Sequence, residues 1–234
     1  MKTIHNLLLW LAAASTAVSA LADGTPLPGY DKTPERAATR TLQYRPTPDG
    51  RIECRNGDNL YTRALYGTNT LFRLETSDRP IFAAYHKRDN RNIHFSVTVG
   101  DKTLRLDSVA DCVASYRGGE RRYVLSDPSW GKGTITMTAL ALDDAEGAIW
   151  QVKASDMPRG ARLTASTCST VKVKINRSGD LGVDPKNAFA PDPDRANLRE
   201  CTVDIGGKSA TAYVRYLDRD VTCLLYTSPS PRDL

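Results

Sequence analysis

Short runs in which apolar and polar residues alternate follow one another along the chain from about residue 51. In residues 92–99, for example, Ile93, Phe95 and Val97 share one face, and Gly100-Asp101 then marks a two-residue hairpin loop. No stretch of about ten residues carries the 3.6-residue repeat of an amphipathic helix. The pattern therefore predicts an all-β fold, an antiparallel β-sandwich. The predicted strands are residues 71–75, 81–86, 92–99, 102–106, 109–116, 121–125, 134–142, 148–153, 162–166, 171–175, 201–205 and 210–216.

The aromatic residues divide into a core candidate and three candidate ligand contacts. Trp150 shares its strand face with two apolar neighbours, so the alternation predicts that it packs in the core. Trp130 lies in a turn, and Tyr61 and Tyr66 lie in a loop-rich segment. Aromatic rings at exposed positions can stack on sugar rings. Trp130, Tyr61 and Tyr66 are therefore the carbohydrate-contact candidates of this sequence.

Catalytic chemistry has no support in the residue pattern. Asp143, Asp144 and Glu146 cluster between two predicted strands, where a solvated hairpin turn accounts for them. His86 and His94 are interpreted as ordinary strand-edge residues, and no serine stands in a G-x-S-x-G elbow. The cysteines and histidines lack zinc-site spacing. We therefore expect no catalytic residue in this chain, no cofactor and no metal.

The N-terminal part of the chain predicts export. Residues 1–22 have a weakly basic start, a short apolar run and an A-x-A ending, which is typical of a signal peptide. The apolar run is shorter than the roughly 20 residues that a membrane span needs. Residues 23–50 are rich in proline and threonine and predict an extended lead-in. The β-sandwich domain is expected over residues 51–222, in an exported protein without a membrane span.

The C-terminal part of the chain resembles something other than protein. Residues 223–234 begin CLLYTSPSPRD, which is the translation of a transposase mosaic end and adapter used in sequencing libraries. We therefore expect residues 223–234 to be an adapter-derived tail, and the natural sequence to be cut at Thr222 in mid-gene. The alternative interpretation of residues 223–234 is a flexible tail rich in serine and proline.

The cysteine count follows from that interpretation. Without Cys223, four cysteines remain, and they allow three pairings among which the sequence does not choose. Cys168 and Cys201 bracket a polar, proline-rich excursion and are one candidate disulfide at its base. Buried free thiols are an equally ordinary outcome for these residues.

Charge argues against a nucleic-acid partner. The 234 residues include 32 Lys and Arg against 27 Asp and Glu, a formal net charge of +5. The basic residues alternate with acidic ones and form no basic stripe, so we do not expect nucleic acid as a partner.

Two stretches resemble a known family. NGDNLYTRALYGTNTLFRLETSDRPIFAAY (residues 56–85) and WGKGTITMTALALDDAEG (residues 130–147) resemble the N-terminal domain of large exported proteins from Gram-negative polysaccharide degraders. That domain is itself one of unknown function, and in the family it precedes a six-hairpin, (α/α)-barrel glycosidase-like domain. The resemblance covers residues 51–152 and weakens beyond them. It carries over no catalytic residue, because the barrel is not present in this sequence.

The resemblance implies a function and a location. The chain is expected to be the accessory, non-catalytic β-sandwich domain of a truncated glycoside hydrolase acting on complex polysaccharide. Its expected partners are the missing catalytic barrel of the same chain and a polysaccharide or oligosaccharide. The expected location is the periplasm, the cell surface or the exterior of a Gram-negative bacterium. Two alternatives stay open: a carbohydrate-binding module or surface-glycan-binding protein, and a structural, adhesion-like sandwich without a ligand.

Overall fold

The computed structural model describes residues 44–86, 89–171 and 189–226. The chain divides into two units, residues 1–54 and residues 55–234. In the described part of the first unit, β1 (Arg45–Pro46) runs antiparallel to β2 (Ile52–Arg55), with Arg45 opposite Glu53. The connecting turn is held by a hydrogen bond from the Thr47 amide to the Arg51 carbonyl (2.8 Å). The lead-in predicted over residues 23–50 thus contains a short strand at its described end.

The second unit consists almost entirely of antiparallel strands in two sheets. Within this unit the first sheet has the strand order β8-β9-β10-β11-β14-β15, and the second has the order β13-β12-β6-β5-β4-β3, with β7 also paired to β6. Two 3₁₀ helices, Leu106–Ser108 and Pro128–Trp130, interrupt the strands. The strands are β3 (Tyr61–Leu65), β4 (Arg73–Ser77), β5 (Ile81–Tyr85), β6 (Arg91–Val99), β7 (Lys102–Arg105), β8 (Asp111–Arg117), β9 (Glu120–Ser126), β10 (Thr134–Ala141), β11 (Gly147–Met157), β12 (Arg162–Ser169), β13 (Arg199–Asp204), β14 (Gly207–Leu217) and β15 (Asp220–Tyr226).

The two sheets pack as a sandwich around one hydrophobic core, which confirms the predicted fold class. Trp150 from the first sheet is fully buried against Phe82 and Phe95 of the second, at ring-centroid distances of 5.2 and 5.4 Å. These edge-to-face contacts are the favoured geometry for aromatic pairs. Ile93, Phe95 and Val97 all face this core, as their alternation predicts. Trp150 is the core residue that the sequence indicates.

Strand β6 pairs with three strands of the second sheet. β12 pairs with β6 along its whole length, from Arg91 to Thr98. On the opposite edge, β5 pairs with the first half of β6 and β7 with the second half. The β6–β7 hairpin is the predicted one, since Val99 lies opposite Lys102 and Gly100 has a positive φ of 58°. A glycine adopts this left-handed conformation without steric cost.

Some predicted elements differ from the structure or lie outside it. β3 occupies residues that sequence analysis assigned to a loop-rich segment, because its residues are half-buried and show no clean alternation. The strand predicted over residues 171–175 lies outside the described residues, except for Val171. No helix in the described ranges has the length and apolar character needed to cross a membrane.

The segment of residues 56–60 is anchored by the pair Asp78-Arg79. The buried Asp78 carboxylate accepts hydrogen bonds from the backbone amides of Leu60 (2.7 Å) and Asp58 (3.2 Å). The Arg79 guanidinium donates to the carbonyl oxygen of Gly57 (2.9 Å). A Cβ atom on Gly57 would lie 2.4 Å from the Asp78 carboxyl carbon, so the close approach requires glycine. The stretch that carries the family resemblance is therefore held together by its own residues.

The cysteine pairing differs from the candidate Cys168–Cys201. Cys201 lies opposite Ala165, which faces the core, whereas Cys168 lies opposite Asn92 on the outer face of the sheet. Side chains on opposite faces cannot be bridged. Cys201 is instead bonded to Cys223 on β15, with a Cα–Cα distance of 5.6 Å, and Cys168 is a buried thiol. Cys223 is the first residue of the segment that resembles a translated adapter, so this disulfide requires that segment.

Candidate functional site

The outer face of the second sheet carries a row of polar side chains. Since Ile93, Phe95 and Val97 point into the core, the alternate residues of β6 point outward. His94 lies opposite Ser166 of β12, and Ser96 lies opposite both Thr164 of β12 and Arg105 of β7. The register of three strands thus collects these polar groups on one surface.

A loop turns this surface into a groove. The chain before β13 is tied to the end of β12, because Asp192 donates its amide hydrogen to the Ser169 carbonyl (2.8 Å) and Thr170 pairs with Pro191. The loop therefore stands as a wall beside the sheet, and the groove between them has a volume of about 530 Å³. Its lining is polar apart from two prolines: His94, Ser96, Thr98, Thr103, Arg105, Thr164, Ser166, Pro191, Asp192, Pro193, Arg195 and Glu200.

His94 has a defined tautomer. Asn92 donates its side-chain amide hydrogen to the carbonyl oxygen of Phe189 (2.9 Å), which fixes the orientation of the amide. Its oxygen therefore faces Nδ1 of His94 at 3.0 Å and can only accept, so Nδ1 carries the proton. Nε2 is then an acceptor, and it has no hydrogen-bond partner within the described part of the chain. The histidine is 8% exposed and lines the groove.

The environment keeps His94 neutral. Burial, followed by the nearby guanidinium groups of Arg105 and Arg195, lowers the pKa of His94 to about 4. A general acid or base at neutral pH works best with a pKa near 7. His94 is therefore suited to accept a hydrogen bond rather than to exchange protons.

A pH-dependent stability follows from this pKa. The unfolded chain has a histidine pKa of about 6.5, so between about pH 6.5 and 4 it binds more protons at this position than the folded chain does. We expect the stabilisation to be complete above pH 6.5 and to be lost as the pH falls towards 4. Burial also lowers the pKa of His86, which acts in the same direction.

Thermal unfolding from pH 7.5 to 4.5 measures this effect. The Tm of the wild type is expected to fall more steeply with decreasing pH than that of His94→Gln, which lacks the titrating ring. Equal slopes for the two proteins would contradict the assignment.

The charged groups of the groove are paired with one another. Arg105 makes two hydrogen bonds to the Asp107 carboxylate, at 2.9 and 2.8 Å. Arg195 donates to Oε1 of Glu200 (3.2 Å), which also accepts a hydrogen bond from the Ser166 hydroxyl (2.7 Å). Each guanidinium thus already has a carboxylate partner, and the groove carries no unbalanced positive charge.

Hydroxyl groups complete the floor. Thr98 and Thr103 share a hydrogen bond of 2.9 Å across the β6–β7 pair. Thr164 and Thr202 share one of 2.9 Å across the β12–β13 pair. A hydroxyl can both donate and accept, so the floor suits a ligand that presents both kinds of group. The arrangement is suited to binding, and we assign no reaction to it.

The three aromatic candidates lie outside this groove lining. The expectation that Trp130 is exposed is wrong: the ring is 2% exposed. Asp127 accepts a hydrogen bond from the Ser129 amide (2.9 Å), which caps the 3₁₀ helix Pro128–Trp130 and directs the ring into the core. Tyr61 is half-buried, with its ring edge-on to Phe189 at 5.0 Å. Tyr66 is 68% exposed, between β3 and β4, and stays a candidate contact.

The groove lies on the polar face of β6, whereas the sequence expectation for this strand concerned only its apolar face. His94, Ser96 and Thr98 follow the same two-residue period as the core residues, and this period is the signal that could have identified the surface. The wall of the groove was not predictable in this way, because Pro191 and Arg195 belong to a loop whose position depends on β12.

A second polar cluster surrounds His86, and we assign no function to it. His86 contacts the Tyr216 hydroxyl through Nε2 (3.0 Å) and Glu146 through Nδ1 (3.7 Å). The Glu146–His86–Tyr216 arrangement resembles a proton relay, but the Tyr216 side chain is fully buried and its hydroxyl cannot reach a ligand. Among residues 44–86, 89–171 and 189–226, no group of three or more His, Cys, Asp or Glu side chains could hold a metal ion.

Comparison with known proteins identifies a family and no activity. A family model described as "Domain of unknown function (DUF4450)" matches residues 90–216, more than half of the chain. The matched segment contains β6, β7, β12 and β13, the four strands that form the groove. No curated protein and no solved structure matches the chain.

Proposed function

The chain belongs to the family of the domain of unknown function DUF4450, and because that description names no activity, we propose a function from the groove itself. The protein is a non-catalytic β-sandwich domain that binds a glycan on the outer face of its second sheet. It serves as the accessory domain of an exported glycoside hydrolase that acts on complex polysaccharide. The observation that carries the proposal is the hydroxyl-lined groove of about 530 Å³ around His94.

The chemistry of the groove supports a glycan ligand. Sugars present many hydroxyl groups, each of which donates and accepts, and the groove offers both functions in a small area. Its volume falls within the range of about 300–1,000 Å³ typical of small-molecule sites. Paired side chains such as Arg195 and Glu200 offer a donor beside an acceptor, which suits adjacent hydroxyls on one ring.

The role within a larger protein rests on the family resemblance of residues 56–85 and 130–147. In that arrangement the acid and base are supplied by the barrel that follows in the same chain, and this domain supplies contacts to the polysaccharide. The proposed location is the periplasm, the cell surface or the cell exterior.

The second candidate is a carbohydrate-binding module or surface-glycan-binding protein without a hydrolase. It is favoured by the fact that all residues lining the groove belong to one unit, so that binding requires no second domain. The genomic sequence after codon 222 separates the two candidates: several hundred residues of paired helical hairpins support the hydrolase, and an early stop codon supports the module.

Filling the groove tests the binding proposal. Ser96 lies on its floor, so Ser96→Trp is expected to weaken binding at least tenfold by occupying the space of the ligand. Affinity electrophoresis in gels containing plant or host polysaccharides measures the effect as a loss of retardation. We expect no release of sugar from any of these polysaccharides.

The matched control places the same substitution on the other sheet. Ser155 of β11 is exposed and lies outside the groove lining, so Ser155→Trp should leave the retardation unchanged. Retardation that survives Ser96→Trp, or that is lost equally in both variants, would show that this groove is not the binding site.

A further inference from the structure

His94 is locked into one ring orientation. Asn92 is fully buried, and both ends of its side-chain amide are engaged, one by the Phe189 carbonyl and the other by Nδ1 of His94. If the imidazole ring flipped, a carbon atom would face the Asn92 oxygen and a buried hydrogen bond would be lost. The acceptor Nε2 is therefore held in a fixed place before any ligand binds. A preorganised acceptor of this kind adds affinity because no ordering cost remains.

The same acceptor selects the kind of group that can approach. A neutral imidazole nitrogen attracts an O–H or N–H donor and repels the oxygen atoms of a carboxylate or sulfate. The charges around it reinforce this preference. Arg105 and Arg195 are paired with Asp107 and Glu200, and Asp192 adds a further carboxylate to the lining. An anionic ligand would have to displace one of these carboxylates or bind beside it.

We infer that the groove selects neutral, hydroxyl-rich saccharides, and that Nε2 of His94 accepts a hydrogen bond from a hydroxyl group of the bound sugar. The inference rests on the proposed function and names the ligand class for the same site. It also assigns His94 as the specificity-determining residue, although nothing in its local sequence distinguishes it from a structural histidine.

Binding is expected to depend on pH in one direction. The charged groups around His94 are Arg105 of β7, Asp107 of the first 3₁₀ helix, Arg195 of the loop and Glu200 of β13. Burial, followed by the two guanidinium groups, lowers the pKa of His94 and outweighs the two carboxylates, which raise it, so that Nε2 stays unprotonated until the pH approaches 4. Affinity should therefore be constant from pH 8 to about 5.5 and should fall below pH 5, as Nε2 begins to gain a proton and becomes a donor.

Two substitutions separate the acceptor from the structural role of the ring. In His94→Asn, the shorter amide can still donate to Asn92, as Nδ1 does, but it leaves nothing at the position of Nε2. In His94→Gln, the longer amide places an oxygen or nitrogen near Nε2. We expect binding to neutral polysaccharide to fall about tenfold or more in His94→Asn, the cost of one well-placed hydrogen bond in a buried site. His94→Gln should retain part of the affinity, and Tm values should show that both variants fold.

The probes are neutral polysaccharides (xyloglucan, mixed-linkage glucan, galactan and arabinan) and acidic ones (polygalacturonate, alginate and chondroitin sulfate), tested with the full chain by affinity electrophoresis and calorimetry. Binding to a neutral polysaccharide that is lost in folded His94→Asn supports the inference. Binding to acidic polysaccharides alone overturns the inference and leaves the proposed function in place. Neutral binding that is unchanged in folded His94→Asn overturns the role of His94. Absence of binding to every probe overturns the proposed function and the inference with it.

Discussion

Replacing Asp78 with alanine is expected to lower the free energy of unfolding by about 1–3 kcal/mol, because two partly buried hydrogen bonds to backbone amides lose their acceptor. The carboxylate of Asp78 is fully buried and receives the amide hydrogens of Leu60 and Asp58. Urea denaturation followed by tryptophan fluorescence measures the change.

Asp144→Ala is the matched control for that experiment. Asp144 is an exposed residue of the turn between β10 and β11, so the same substitution there is expected to change the free energy of unfolding by less than about 0.5 kcal/mol. Asp78→Asn retains one acceptor oxygen and should be intermediate. If Asp78→Ala were as stable as Asp144→Ala, the anchoring role of Asp78 would be wrong.

Other residues of the stretch 56–85, which carries the family resemblance, also bind the backbone of neighbouring segments. The backbone amide of Asn56 donates to the carbonyl oxygen of Cys112, and the side-chain oxygen of Asn56 accepts from the backbone amide of Cys112, both at 2.8 Å. Arg79 donates to the carbonyl of Val109 as well as to that of Gly57. These residues of the resembling stretch act on the backbone of their neighbours. The resemblance therefore reflects residues that hold the fold, whereas the proposed ligand contacts lie elsewhere, on β6, β7, β12 and β13.

The parts of the fold that could be predicted are those governed by local alternation. The inward face of β6 and the burial of Trp150 follow from a two-residue period within a single strand. The hairpin after Val99 follows from a glycine where the turn requires a positive φ. In each case the relevant information lies within a few consecutive residues.

The groove and the disulfide depend on contacts between distant segments. His94 becomes a fixed acceptor because Asn92 meets the carbonyl of Phe189, and no pattern in residues 92–99 indicates that partner. Cys201 meets Cys223 because β13 and β15 lie next to each other at the edges of different sheets. Such pairings require the register of the sheets, which a single sequence does not determine.

Truncation of Trp150 is expected to affect both the stability of the sandwich and binding in the groove. Trp150→Ala is expected to lower the free energy of unfolding by about 3–5 kcal/mol through loss of buried area and creation of a cavity. The ring packs directly on Phe95, the residue after His94 on β6, so the cavity would also loosen the strand that carries the proposed acceptor. We therefore expect glycan binding to weaken in this variant under conditions in which it is still folded.

Trp150→Phe is the control that separates packing from polarity. The indole Nε1 of Trp150 is buried and has no hydrogen-bond partner among the described residues, so phenylalanine removes an unsatisfied donor while retaining a ring against Phe82 and Phe95. Trp150→Phe is expected to lower the free energy of unfolding by less than about 1.5 kcal/mol. The smaller ring buries less apolar area, but the substitution also removes a buried donor that has no partner among the described residues. Guanidinium chloride denaturation of the three proteins, followed by circular dichroism, gives the comparison. If Trp150→Ala and Trp150→Phe were equally stable, the aromatic contacts across the two sheets would contribute little, and the register of β6 would have to be maintained by its hydrogen bonds to β5, β7 and β12.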